Sequence, residues 1–173
     1  MLLAMELVVA MRQAAGEKLL LCYRHSAVDG LPGGTTVEDS ARLAKALENH
    51  WLDGLDVSAG MGGADDFSLP PASAAEGTHA ELAAKIKAKV SIPLIAVGRV
   101  QTRAVAEKIL QEKKADLVAL GRQLLADPNW PKKVQEGKED EIVFCNYCGF
   151  CGEEMRAGRP IACPQNPGLG KEL

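Results

Sequence analysis

Four cysteines crowd the carboxyl-terminal end of the sequence. Cys145, Cys148, Cys151 and Cys163 follow the spacing C-x2-C-x2-C-x11-C, and Pro164 stands directly after the last. Thiolates two residues apart can reach one metal centre from a single tight turn, and Gly149 and Gly152 ease the bend this needs. Zinc and a four-iron cluster both accept four such ligands. Three cysteines at x2 spacing with a Cys-Pro ending favour iron–sulfur over the paired motif of a zinc ribbon. Zinc, or plain free thiols, remain alternatives at this point. A disulfide framework would spread its cysteines through a small secreted chain, so clustering favours metal. The fifth cysteine, Cys22, stands alone in an apolar run and reads as a small core residue.

Two further signals lie upstream. Gly98-Arg99 and Gly121-Arg122 each end an apolar run and precede a helical pattern. A phosphate needs backbone N–H donors on a chain that allows close approach, usually with a cation beside them. Glycine followed by arginine supplies both. The plainer alternative is a pair of strand-to-helix turns with arginines in surface ion pairs. The three histidines carry less. His25 sits at a strand end and could face a site, whereas His50 ends a helix and His79 begins one, so these read as helix-end or surface residues.

The elements that must position these groups alternate along the chain. Short apolar runs at Leu19–Tyr23, Leu55–Val57, Leu94–Val97 and Leu117–Leu120 read as strands buried on both faces. Helical patterns near 37–50, 79–89 and 103–112 lie between them. Thr35 with Glu38 and Thr78 with Glu81 fit capping boxes, and Thr102 can cap the third helix. An amphipathic helix over Met1–Ala15 precedes the first strand, and a short one over Asn129–Gly137 follows the last. Strand–helix alternation implies βαβ units and a parallel sheet. An open dinucleotide fold would carry its Gly-rich turn after the first strand, but Arg24-His25-Ser26 stands there. Glycine signals after the last two strands match the phosphate habit of a TIM barrel. Four strands make only half of a barrel.

Composition sets the outer limits. With 47% hydrophobic and 25% charged residues the chain can bury a core. A net charge of −3 gives no general attraction to nucleic acid or an anionic membrane, and 4% aromatics leave little for base stacking. No apolar run reaches the roughly 18–20 residues of a membrane span. The apolar opening contains Glu6 and Arg12 and lacks a basic front end, so it does not read as a signal peptide. A cytoplasmic protein with neither nucleic acid nor membrane as partner is the default expectation.

Longer strings then carry a resemblance. "YRHSAVDGLPGGTTVEDSARLAKALE", "LDVSAG", "IPLIAVGRV" and "ADLVALGRQLLADPNWPKKV" resemble strands five to eight of the old yellow enzyme-like NADH:flavin oxidoreductase family. "CNYCGFCGEEMRAGRPIACPQNPGLGKE" resembles the loop that follows the barrel in its 2,4-dienoyl-CoA reductase-like and trimethylamine dehydrogenase-like members. The resemblance implies an α/β fold: the C-terminal half (strands 5–8) of an FMN-binding TIM (β/α)8 barrel over residues 1–140, then a cysteine-rich metal-binding loop over 141–173. It implies FMN, with Arg24 beside the flavin's pyrimidine edge and Gly98, Arg99, Gly121 and Arg122 at its phosphate. It implies a [4Fe-4S] cluster on Cys145, Cys148, Cys151 and Cys163.

The implied reaction uses NAD(P)H to reduce activated C=C bonds. The x2 spacing between Cys148 and Cys151 is that of the amine dehydrogenase branch, which leaves amine oxidation as an alternative, and a non-catalytic FMN- or metal-binding module is another. The family's substrate-binding His/Asn pair and proton-donating tyrosine belong to the first half of the barrel, and neither Tyr23 nor Tyr147 occupies the matching motif. The chain alone is therefore not expected to be a competent reductase. It should need the missing N-terminal half-barrel or complete the barrel by self-association.

Overall fold

The computed structural model describes residues 2–61 and 68–171. Helix α1 (Leu2–Ala15) leads to strand β1 (Cys22–Ser26), and helix α2 (Val37–Glu48) leads to β2 (Gly54–Ser58). Helix α3 (Ala80–Lys87) precedes β3 (Leu94–Val97), and α4 (Arg103–Gln111) precedes β4 (Leu117–Ala119). Short helices α5 (Arg122–Ala126) and α6 (Trp130–Gln135), a 3-10 turn (Glu139–Glu141) and helix α7 (Phe150–Arg156) complete the described elements. All neighbouring strands pair in parallel, in the order β1-β2-β3-β4. This is the sequential order of a barrel wall, here open at β1 and β4.

Strand register divides the sheet into two chemically different faces. Tyr23–Leu55–Leu94 and His25–Val57–Ala96–Val118 lie in register on one face. Leu55, Val57, Leu94 and Ala96 there are fully or almost fully buried, together with Leu47, Ala83, Ile86 and Ile109 from the helices. The other face carries Arg24–Asp56–Ile95–Leu117 and Ser26–Ser58–Val97–Ala119, which are half-buried or exposed. In a closed barrel that second face is the lumen.

At the amino ends of the strands, carboxylates take up backbone N–H groups. Asp53 accepts from Leu21 at 2.7 Å, Glu48 from Ser91 at 2.6 Å and Asp116 from Leu94 at 2.9 Å. The opposite, carboxyl end of the sheet is left to the loops that form the site.

Several expectations shift. The first strand begins at Cys22, not Leu19, and runs on through Arg24, His25 and Ser26, which pair with Asp56, Val57 and Ser58. Leu20 is 85% exposed in the approach to it. The capping box of α2 uses Thr36 and Asp39, because Thr35 donates its N–H to Asp29 at 2.7 Å and so stays in the preceding loop. Helix α3 starts one residue after His79 with no side-chain cap, so Thr78 and Glu81 form no box there. Thr102 does cap α4, accepting from Val105 at 3.3 Å. Cys22 is exposed on the lumen-side face and is not a core residue. No helix among the described residues is long and apolar enough to cross a membrane.

Candidate active site: an anion cradle beside the cysteine loop

One cavity of about 150 Å³ lies at the carboxyl ends of the strands. It is lined by all five residues predicted to hold the flavin: Arg24, Gly98, Arg99, Gly121 and Arg122. Small-molecule pockets usually measure about 300–1,000 Å³. The described residues thus line less than a pocket of that size.

Gly98 is fixed by two constraints. Its φ of 125° is one that side chains rarely adopt, and a Cβ would lie 2.7 Å from His79 Nδ1. Gly121 opens α5, and nothing stands within 4 Å of where its Cβ would be, so its backbone is accessible from the cavity.

Among the described residues the two arginines beside these glycines are not in carboxylate pairs. Arg99 has a left-handed φ of 49°. Its guanidinium donates to the carbonyl of Ala72 at 2.8 Å and to that of Ala74, while its buried Nε has no partner. Arg122 pairs with no carboxylate among the described residues. Both guanidiniums instead stand over the ring of Tyr147, with Arg99 Cζ 4.4 Å and Arg122 Cζ 4.7 Å from its centroid. Two guanidiniums with no carboxylate partner among the described residues, an orphaned donor and the open backbone at Gly121 fit a phosphate. Among the described residues the surface-ion-pair alternative fails for both.

Arg24 has a carboxylate partner, which Arg99 and Arg122 lack among the described residues. Its Nη1 lies 2.6 Å from Asp56 Oδ2 on the lumen-side face. Asp56 keeps a second, buried oxygen without a partner. His25 belongs to the other face. It packs against Tyr23 with ring centroids 5.9 Å apart, and burial pushes its pKa below the ordinary histidine value, against a smaller opposing pull from Asp56. His50 is half-buried, its Nδ1 2.6 Å from the Ala46 carbonyl. His79 does begin a helix, but it is buried and lines the cavity, so it is no surface residue.

The cysteine segment is tied to this wall by amide groups. Gln123, buried on α5, donates to the Val143 carbonyl at 3.0 Å and accepts the Cys145 N–H at 3.0 Å. Gln101 donates to the Cys145 carbonyl at 2.7 Å and is itself held by Trp130 Nε1 at 2.7 Å. Asn166 donates to the Leu125 carbonyl at 3.0 Å. Cys145 is buried and packs with Cys163, and burial pushes its thiol pKa up.

Cys148 and Cys151 line a neighbouring cavity of about 510 Å³ that also touches Gly121, Arg122 and Tyr147. Among the described residues, no three Cys, His, Asp or Glu side chains are gathered as a metal-ligand set. Gly149 provides the expected bend, with φ 84°, whereas Gly152 lies inside α7 and makes room for Leu69, whose Cδ1 would be 3.4 Å from a Cβ.

Sequence reasoning passed over Tyr147, Gln123, Gln101 and His79 as site residues. None carries a motif of its own. Only the short interval between the Gly-Arg pairs and the cysteines hinted that these side chains would meet.

A sequentially ordered parallel sheet with two Gly-Arg pairs at its carboxyl end is that of a partial TIM barrel of the flavoenzyme type. The chain belongs to the NADH:flavin oxidoreductase / NADH oxidase family, whose model matches residues 1–141. Over 170 residues it is 38% identical to the NADH oxidase of Thermoanaerobacter brockii, covering 97% of this chain and 26% of that protein. It is 33% identical over 177 residues to the metal reductase of Desulforamulus reducens, covering 99% of this chain and 26% of the relative. Among solved structures, a complex of 2-naphthoyl-CoA reductase with 2-naphthoyl-CoA superposes with a TM-score of 0.92 at 28% identity, over 98% of this chain and 26% of that one. The chain thus spans about a quarter of the length of the relatives it matches.

Proposed function

We propose that the chain is the second half-barrel and cysteine loop of an FMN-dependent, iron–sulfur oxidoreductase that takes electrons from NAD(P)H and reduces an activated C=C bond of a small molecule. The observation that carries this reading is the convergence of Arg24, Gly98, Arg99, Gly121 and Arg122 on one cavity at the carboxyl end of the sheet. FMN would supply hydride uptake and delivery, and a [4Fe-4S] centre on Cys145, Cys148, Cys151 and Cys163 would pass single electrons.

The chain's own residues supply binding and charge. Gly98 and Gly121 admit the phosphate to the backbone, and Arg99 and Arg122 neutralise it. Arg24, oriented by Asp56, would stand beside the flavin ring and stabilise negative charge there. Residues 1–140 would form the barrel half and 141–173 the cluster loop. The x2 spacing between Cys148 and Cys151 supports amine oxidation as a second reading. Steady-state turnover of the complete protein with an enoate and with a secondary amine separates the two.

The test of the site is a titration of the chain with FMN. Losing the charge-assisted contact in Arg122→Ala should weaken binding by about 1.5–3 kcal/mol. Unchanged affinity by calorimetry would place the phosphate elsewhere. Iron and sulfide analysis of anaerobically prepared protein tests the cluster, and zinc without iron would refute it.

Assembly is part of the same proposal. The edges at β1 and β4 present unpaired backbone groups, and the lumen-side face lacks the packing layers that opposing strands provide. We expect the 173-residue chain to self-associate in sedimentation unless further strands are supplied, with a closed two-fold pair the commonest arrangement for identical chains. A stable monomer would show that four strands suffice.

A further inference from the structure

Tyr147 belongs to the cysteine segment by sequence and to the anion cradle by position. It lies between Cys145 and Cys148, yet its ring is the surface on which the guanidiniums of Arg99 and Arg122 both rest, at 4.4 and 4.7 Å. The side chain is buried, and its backbone is held in a left-handed conformation with φ 53°. Its N–H points to Cys145 Sγ at 3.4 Å. A bulky residue in that conformation is uncommon and persists only where its surroundings over-determine it.

Two like charges brought to one cavity repel each other, and long arginine side chains lose rotamer freedom when ordered. An aromatic face that attracts both cations offsets those costs before any ligand arrives. Among the described residues neither arginine has a carboxylate to do this instead, and a carboxylate would compete with the phosphate.

We infer that Tyr147 is the positioning residue of the anion cradle: its ring holds Arg99 and Arg122 as a preorganised pair for the phosphate of a flavin nucleotide, so that the fold of the cysteine loop sets the affinity of the flavin site. This rests on the flavin reading above. Tyr147 touches neither the phosphate nor the reacting ring in this account; it acts through the two guanidiniums. The cysteine loop and the phosphate pocket thereby share one side chain, and ordering the loop orders the cradle.

The experiment compares Tyr147→Phe, which keeps the ring, with Tyr147→Met, which keeps much of the volume and loses it. FMN binding to the full chain is read by quenching of flavin fluorescence, with inorganic phosphate as competitor. Tyr147→Phe should bind within about three-fold of the unaltered chain, and Tyr147→Met about ten-fold more weakly, the size of one to two cation–π contacts. In an Arg99→Ala/Arg122→Ala background Tyr147→Met should change binding by less than about two-fold, because contacts that have already been lost cannot couple again.

A ten-fold loss in Tyr147→Phe would assign the effect to the hydroxyl and its hydrogen bond with Arg99 in place of the ring, and would overturn the proposal even if Tyr147→Met failed to fold. Equal binding by Tyr147→Met and the unaltered chain, or an equal loss in both backgrounds, would overturn the positioning role and leave the flavin site standing. An unaltered chain that binds neither FMN nor phosphate would remove the flavin site and this proposal together.

Discussion

The sheet with its helices and the cysteine segment are held by different forces. Between β1 and α4 the packed face is almost wholly aliphatic: Leu47, Leu55, Val57, Ile86 and Leu94 are all sealed from solvent. From Ile142 to Asn166 the chain has little apolar interior. Its own small cluster is Cys145 and Tyr147 with Ala126 and the half-buried Cys163, while Val143, Phe144, Phe150 and Ile161 remain exposed. What ties that segment down is a set of side-chain amide and carboxylate bonds to backbone, from Gln101, Gln123, Asp127 and Asn166. Apolar burial is non-directional and tolerates approximate placement, whereas hydrogen bonds fix position to a few tenths of an ångström. A scaffold and a site-bearing loop divide along that line.

Removing apolar volume from the scaffold should cost the most. Leu55→Ala opens a cavity where β2 meets the helices and should cost about 2–5 kcal/mol in denaturant unfolding. Ile161→Ala, at an exposed position of the cysteine segment, should stay within about 0.5 kcal/mol. Similar losses at the two positions would mean that the segment has an apolar core of its own.

The tethers come next. Asp127 is buried and accepts the N–H groups of Val143 at 2.9 Å and Asn129 at 3.0 Å and the ammonium of Lys133 at 2.7 Å. Burial alone would raise its pKa, but these three donors outweigh it and hold the carboxyl below the ordinary range. Asp127→Asn keeps the shape, loses the charge and puts an amide N–H₂ where only donors converge. We expect a loss of about 1–3 kcal/mol and faster proteolysis after residue 140. Unchanged protease sensitivity of the cysteine segment would show that it is anchored by something other than this carboxylate.

The same division explains what could be read in advance. Leu94–Val97 was legible to the residue, because a parallel strand whose two faces are both apolar writes itself as an unbroken apolar run. The first strand was misplaced by three residues because its working end, Arg24-His25-Ser26, is polar. Residues that build a site at the carboxyl end of a strand break the pattern that announces the strand. Thr36 and Thr35 are equal as caps until Asp29 takes one of their N–H groups, a tertiary fact. The Gly-Arg pairs were legible because close approach and positive charge have few alternative spellings. Tyr147, His79 and Asp56 were not, since a buried tyrosine, histidine or aspartate acquires its meaning only from what folds against it. Helix α7 was hidden by Cys151 and Gly152 within it and Cys148 and Gly149 just before it, which suggested a loop.

The smallest expected effect concerns pH and separates the two faces of β1. His25 sits on the helix-side face, where burial holds its pKa below the ordinary 6.5, while its neighbour Arg24 sits on the lumen side. A lowered pKa means that, as pH falls through 6.5, the unfolded chain takes up a proton before the native chain does. Stability then rises with pH in that window, since the unfolded state binds the greater number of protons. The contribution is fully present above about 6.5 and is lost as pH falls toward the native value. One proton limits the slope to about 1.4 kcal/mol per pH unit. The carboxylates with lowered pKa, such as Asp53, Asp116 and Asp127, lose their contributions only at more acidic pH, because their ordinary value is already 3.8. Burial raises the pKa of Tyr147, so its hydroxyl stays protonated throughout. Urea midpoints between pH 5 and 7.5 should therefore fall on acidification for the unaltered chain and fall less for His25→Phe. Parallel curves for the two proteins would place His25 in contact with water, and with it the outer face of β1.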